Sequence, residues 1–177
     1  SDVYKRQGAS SMIDASRSAF PDTKFIVWGR NRDYVAQFAD AHGATAVAEL
    51  ADGVAQAQII CTATMTTDPI LKGEWLQPGQ HLDLIGAYRP DMREVDDVAL
   101  QRSKLYVDSF ATTLDHIGEL KIPLANGVIQ RNDVLGDFYT PAAFTRAPED
   151  ITICKNGGGA HLDLMTCRYI LDQWNSK

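Results

Sequence analysis

Residues 59–109 read IICTATMTTDPILKGEWLQPGQHLDLIGAYRPDMREVDDVALQRSKLYVDS. Three short apolar runs stand at 58–62, 81–86 and 104–107, and each ends in small or polar residues. Runs of this kind are how parallel strands buried on both faces read, and ligands bind outside the carboxyl ends of such strands. Between the runs, Pro78-Gly79 marks a turn. Asp96 and Asp97 open a helical stretch over 96–103, where carboxylates meet the positive end of the helix dipole.

The alternation continues on either side. Upstream, 11–20 reads as a helix with Met12, Ile13, Ala15, Ala19 and Phe20 on its apolar side, ended by Pro21-Asp22. A strand follows at 24–28, then a helix at 33–42 closed by Gly43, a short strand at 45–47 and a helix at 49–56. One turn is expected near 73–76. Downstream, a helix runs through 114–119, and 122–148 is the least regular stretch, with Pro123, Gly127, Gly136, Pro141 and Pro148. A last strand at 151–154 leads through Gly157-Gly158-Gly159 into a long helix at 160–174, whose Ala160, Leu164, Cys167, Leu171 and Trp174 form one apolar stripe. Short alternating units of this kind give an α/β fold: a Rossmann-like, doubly wound, mostly parallel sheet with helices on both faces. The first strand and first glycine of such a sheet are not visible ahead of Gly8, so it reads as truncated at its N-terminus. The polar residues 1–7, SDVYKRQ, are expected to be a leader foreign to the fold.

The chain's 177 residues suffice for one domain with a core, and 45% hydrophobic and 23% charged residues are ordinary for a globular protein. A net charge of −6 argues against a general nucleic-acid partner. No apolar run approaches the ~20 residues of a membrane span. Cys61, Cys154 and Cys167 lack metal or redox spacing and sit in apolar contexts, so buried free thiols and a reducing, cytoplasmic setting are expected.

Several residues could carry chemistry. Gly8, before the first helix, could be the surviving end of a phosphate-binding loop, or simply a terminal glycine. Arg30, Asn31 and Arg32 stand where a nucleotide-binding sheet meets the adenosine ribose. An acid there would favour NAD, whereas guanidinium groups match a 2′-phosphate, so NADP(H) is favoured over NAD(H). The alternative is a solvated basic turn. Small residues at Thr62, Ala63 and Thr64 would let a ligand approach the backbone; ordinary strand-to-loop chemistry explains them equally. His81, Asp83, His116 and His161 are candidate acids or bases, without the spacing of a metal site. Asp83, inside an apolar strand, calls for a hydrogen-bond partner. Asn156 and Gly157 open a glycine-rich link that either accommodates a ligand or merely connects.

The runs VWGRNRDYVAQFA, CTATMTTDPILKGEWLQPGQHLDLIGAYRPDMREVDD, LYVDS, GEL and ITICKNGGGAHLDLM occur in the order and spacing of one family. The chain resembles the ornithine cyclodeaminase/mu-crystallin family from about Gly8 to Trp174. The resemblance implies a nucleotide-binding domain, here residues 8–155, joined to a second domain that supplies substrate-binding Arg and Lys residues and a homodimer interface. On this resemblance nearly all of that second domain would precede Gly8 and is expected to be missing here, and residues 156–177 resemble the helix that returns towards it. Carried over, Arg30 and Asn31 match positions contacting the adenosine 2′-phosphate. Thr62, Ala63 and Thr64 match the loop beside the cofactor. Ile85, Gly86 and Ala87 match the strand end near the nicotinamide, and Asn156 matches a polar residue reaching it.

One departure bears on the reaction. Cyclodeaminases of this family carry an Asp two residues after the strand-end glycine, and this chain has Tyr88 there. A phenol, titrating ordinarily near pH 10, is a poor general base at neutral pH. The resemblance therefore implies an NAD(P)H-dependent oxidoreductase that reduces a small cyclic ketimine carboxylate of the 1-pyrroline-2-carboxylate type, with Tyr88 at the catalytic slot. The alternatives are ornithine cyclodeaminase, converting L-ornithine to L-proline plus ammonia, and a non-catalytic nucleotide-binding module.

Overall fold

The computed structural model describes residues 2–175, with side chains from Gly8 onward except that of His161. The expectations placed on Ser1 and on the His161 imidazole lie outside the described residues. Seven helices and seven strands are described: α1 (Asp2–Ala19), β1 (Ile26–Val27), α2 (Arg32–His42), β2 (Thr45–Ala46), α3 (Leu50–Gln56), β3 (Ile59–Thr62), β4 (His81–Leu84), α4 (Asp97–Gln101), β5 (Lys104–Val107), α5 (Phe110–Thr113), α6 (Gly118–Ala125), β6 (Val134–Gly136), β7 (Thr152–Lys155) and α7 (Ala160–Asn175).

Every pairing between strands is parallel. The order β3-β4-β7-β5-β6 places the last strand in the middle of a five-stranded sheet. Its Thr152 lies opposite His81 on one side and Lys104 on the other. The strands β1 and β2 form a separate two-stranded sheet. Among the described residues, β1 and β3 each have a partner on one edge only, so the expected single sheet is divided at that point.

Side chains alternate across the strands. Ile60, Leu82, Leu84, Leu105, Val107 and Ile153 point into the main core, which also takes Val54 from α3, Ala99 and Leu100 from α4, and Leu120 from α6. The opposite face carries polar groups, with Tyr106 covered by a stacked Phe144 at 4.6 Å. This second cover comes from the 137–150 crossover, as a return connection requires when parallel crossovers are right-handed.

Three expectations are corrected. First, α1 begins at Asp2 and runs through Gly8, so Gly8 lies inside a helix rather than in a turn before one. No proline interrupts 2–19, and a Cβ added at Gly8 would meet nothing within 4 Å, so no backbone approach depends on it. Residues 2–7 are thus continuous with the first helix. Second, the stretch 122–148 contains a strand, β6, and of the helix expected over 114–119 only Gly118 and Glu119 are helical, because 114–117 form the break between α5 and α6. The break lets Gly118 pass the chain near Pro90 and Met92, where a Cβ would lie 2.6 Å from either carbonyl oxygen. Third, only Cys154 is buried; Cys61 and Cys167 are exposed. Cys61 and Ile59 share the uncovered side of the edge strand β3, and Cys167 lies on the exposed helix α7. Among the described residues, no helix is long and apolar enough to cross a membrane.

Candidate functional site

The carboxyl ends of β3, β4, β7 and β5 meet around four buried charged residues: Glu94, Glu119, Lys155 and Asp108. Glu94 comes from the loop before α4 and reaches back across two strand ends. Its Oε1 accepts from the Thr64 N–H and the Thr64 hydroxyl, both at 2.7 Å. Its Oε2 accepts from the Gly86 N–H at 2.8 Å and the Ala87 N–H at 3.3 Å. Gly86 is required by this arrangement: a Cβ there would lie 2.1 Å from the Thr64 carbonyl oxygen, 2.2 Å from its nitrogen and 2.5 Å from Glu94 Oε1.

Glu119, near the start of α6, holds Glu94 in turn. Its carboxylate accepts from the backbone N–H of Glu94 at 2.7 Å and of Val95 at 3.1 Å. Burial pushes the Glu119 carboxyl up to about 7, against the pull of those two N–H groups, and the nearby Glu94 charge adds to the rise. Lys155, at the end of β7, donates to the Leu84 carbonyl at 2.9 Å and the Asn156 carbonyl at 2.7 Å. Burial draws its pKa down, while Glu94, Glu119, Asp108 and Asp83 oppose that shift. Asp108, at the end of β5, accepts from the Ser109 N–H, the Thr113 hydroxyl and the Gly158 N–H, at 2.8, 2.8 and 2.9 Å. That last bond ties the glycine link ahead of α7 to the sheet.

The structure brings most of the sequence-selected residues to this edge. Thr62 is buried, and its hydroxyl has no partner among the described residues. Ala63 and Thr64 follow it half-buried. Ile85 donates its N–H to the Thr62 carbonyl at 2.9 Å while its side chain is exposed. Gly86 and the buried Ala87 lie under Glu94, and Tyr88 emerges beyond them, 55% exposed. Asn156 donates its backbone N–H to Leu84 at 2.9 Å and its side-chain amide to Asp83. Asp83 thus has the partner its position called for, and burial raises its pKa. Gly157 packs beside Ile117 and Thr113, with no room for a Cβ.

Arg30, Asn31 and Arg32 lie elsewhere, at the end of β1 and the start of α2. Asn31 caps α2, its Oδ1 accepting from the Tyr34 N–H at 3.0 Å. Arg32 pairs with Glu49 at 3.3 Å on the surface. Arg30 is exposed and pairs with no carboxylate among the described residues. A groove of about 220 Å³ beside them is lined by Gly29, Arg32, Val35, Ala46, Val47 and Ala48.

Of the candidate bases, His81 shares a 2.7 Å hydrogen bond with the Thr152 hydroxyl, and burial lowers its pKa. His116 is exposed. Among the described residues, no three His, Cys, Asp or Glu side chains converge as a metal site would require. Sequence reading passed over Glu94, Glu119 and Asp108, and took Lys155 only as part of a link. The available signal was a charged residue against apolar neighbours, as in Ile117-Gly118-Glu119-Leu120, because such charges are rarely buried unpaired.

Residues 7–177 match the model of the ornithine cyclodeaminase/mu-crystallin family. The chain is similar to the Delta(1)-pyrroline-2-carboxylate reductase of Paracoccus denitrificans, 44% identical over 92% of this chain and 54% of that protein. It is similar to the mouse ketimine reductase mu-crystallin, 34% identical over 85% of this chain and 47% of that protein. Among solved structures, that of Thermococcus litoralis Delta(1)-pyrroline-2-carboxylate reductase with NADH and L-proline matches with a TM-score of 0.69 and 26% identity, covering 76% of this chain and 45% of that one. The chain spans about half the length of the curated relatives it matches.

Proposed function

The chain belongs to the ornithine cyclodeaminase/mu-crystallin family, and from that premise we propose that it is the nucleotide-binding part of an NAD(P)H-dependent reductase. Its substrate is a small cyclic ketimine carboxylate of the 1-pyrroline-2-carboxylate type. The observation that carries this reading is the end of β4. There the small residues Gly86 and Ala87 are followed by an exposed Tyr88, where a deaminating enzyme of the family would need a carboxylate. The identity to pyrroline-2-carboxylate and ketimine reductases supports the same choice.

The residues at the strand ends fit a nicotinamide. Thr62 offers a buried hydroxyl without a partner, and Ala63, Gly86 and Ala87 keep the approach open. When bound, that ring supplies a hydride for the imine carbon. The chain's own part is to hold the ring's surroundings in place: Thr62 and Asn156 present polar groups to it, and Ile85 covers one side. At the far end, Arg30, without an ion-pair partner among the described residues, is the cation for an adenosine 2′-phosphate, which favours NADP(H) over NAD(H). Gly8, inside α1, has no role in this reading.

The nucleotide-binding domain spans 8–155, and residues 156–177 dock on a second domain carrying the substrate-binding residues and the homodimer contact. Supporting this, α7 exposes Leu164 (54%), Leu171 (57%) and Trp174 (77%) to solvent, an apolar face that needs a cover.

The test is an assay of the whole protein. NADPH oxidation that depends on 1-pyrroline-2-carboxylate is the expected result. Ammonia release from L-ornithine without net NADPH consumption would replace the reading with cyclodeamination. Saturable NADPH binding without turnover of any ketimine would reduce it to a binding module.

A further inference from the structure

We propose that Glu94 is a positioning residue of the cofactor crevice: its carboxylate fixes the ends of β3 and β4 against each other and takes up the N–H groups that an anion would otherwise find there. The inference rests on the nicotinamide reading of the crevice and adds how that crevice is built.

The two loops that follow β3 and β4 are tied down farther out, by the Arg93 N–H to the Thr66 carbonyl at 3.0 Å and the Gly118 N–H to the Arg89 carbonyl at 2.9 Å, but next to the strand ends Glu94 is their main link. The sheet ladder ends at Thr62 and Leu84, with one further bond from the Ile85 N–H to the Thr62 carbonyl. Beyond that, Thr64, Gly86 and Ala87 direct four donors at one side chain. An ionised carboxylate is acceptor-only and can receive all four. Glu94 itself is fully buried, and its backbone is held by Glu119. The close contact of Gly86 with Thr64 shows independently that the two loops are drawn together at this spot.

The ligand consequence follows from the donors. With the N–H groups of Thr64, Gly86 and Ala87 engaged by Glu94, these strand ends cannot cradle a phosphate as free N–H groups do at a helix start. What remains is small apolar surface and the Thr62 hydroxyl. That is an environment for a flat ring with few polar atoms, and a poor one for an anion.

Glu94→Gln is the isosteric test. A glutamine has one acceptor oxygen, and its amide NH₂ would face two N–H donors, so one loop loses its anchor. Cofactor affinity, read by NADPH fluorescence titration of the whole protein, is expected to fall about tenfold or more. The KM for the ketimine should stay near the wild-type value. If the wild type itself fails to bind NADPH, the nicotinamide reading falls before any variant is compared. If the wild type binds and folded Glu94→Gln binds equally well, the positioning role is wrong. Equal rises in both KM values would also overturn it, since they would mark general loosening. Should Glu94→Gln not fold, Thr64→Val decides: it deletes one donor and leaves Glu94, and a severalfold loss of cofactor affinity is expected. Unchanged affinity there would overturn the inference.

Discussion

The ends of β3, β4, β5 and β7 and the end of β1 are built in opposite ways. At the first, Glu94, Glu119, Lys155 and Asp108 are buried and each is bonded to backbone groups of neighbouring loops. At the second, Arg30 and Arg32 stand in solvent after a strand of two residues. Buried charges are costly unless fully paired, so they persist where geometry must be held. An exposed cation costs little and holds little. The comparison teaches that this chain fixes the ends of its central strands internally, whereas the end of β1 is held by little beyond surface contacts; on the proposed function, the first is the ring end and the second the adenosine end.

The most severe way to break this contrast is Gly86→Ala. A methyl group would sit 2.1 to 2.5 Å from Thr64 backbone atoms and from Glu94 Oε1, and neither the strand end nor the buried carboxylate can move freely. Overpacking against backbone at a buried charge is expected to destabilise the fold by more than about 4 kcal/mol. Urea unfolding of the variant checks this. The same substitution at Gly8, where a Cβ meets nothing, should be neutral or slightly stabilising, because alanine is the better helix residue. Near-equal stability of the two variants would mean that the strand ends are not tightly held.

The same division governs what could be read from sequence. The strand β5 was legible to its boundaries, since Lys104–Val107 is an apolar run buried on both faces. The strand β1 was expected over 24–28 but spans only Ile26–Val27, because it has one partner strand and half-buried side chains. Val134-Leu135-Gly136 escaped notice, because three residues in a proline- and glycine-rich stretch carry too short a pattern. Thr62, Ala63, Thr64, Gly86 and Ala87 were picked out together because small residues at strand ends are a local signal, and the structure does bring them to one edge of the sheet. Glu94 was missed because its partners are backbone groups at positions 64, 86 and 87. No pattern of side-chain types records a carboxylate that binds backbone.

The buried end can also be probed by pH. Burial raises the Glu119 carboxyl to about 7 from an ordinary value near 4.5. Between those values the folded protein holds a proton that the unfolded chain releases, so stability falls as pH rises across that window. The magnitude is on the order of 2–3 kcal/mol. Asp83, also raised by burial, acts in the same direction, while His81, lowered by burial, acts against it. Comparison with Glu119→Gln removes those two from account, since both proteins carry them. Thermal unfolding from pH 4.5 to 8 should show the wild type losing stability relative to the variant as pH rises. A constant difference would show that Glu119 titrates normally and that this end is wetter than its burial indicates.

The smallest effects belong to the exposed end, where the two arginines should differ. Arg32 is engaged with Glu49 across 3.3 Å of surface, and an exposed pair of that kind contributes about 0–1 kcal/mol. Arg30 has no such competitor among the described residues. A guanidinium meeting a phosphate dianion makes charge-assisted bonds of about 1.5–3 kcal/mol, and only NADP(H) carries that phosphate. Arg30→Ala is therefore expected to lower the NADPH:NADH affinity ratio about tenfold, with NADH binding nearly unchanged. Arg32→Ala should lower the ratio severalfold less, since breaking its pair with Glu49 offsets part of any phosphate contact. Titration of both nucleotides against both variants separates the cases. A ratio that moves with Arg32 and not with Arg30 would place the phosphate over the groove beside α2, near Val47 and Ala48. A ratio that moves with neither would make the turn after β1 a solvated basic surface and remove the preference for NADP(H).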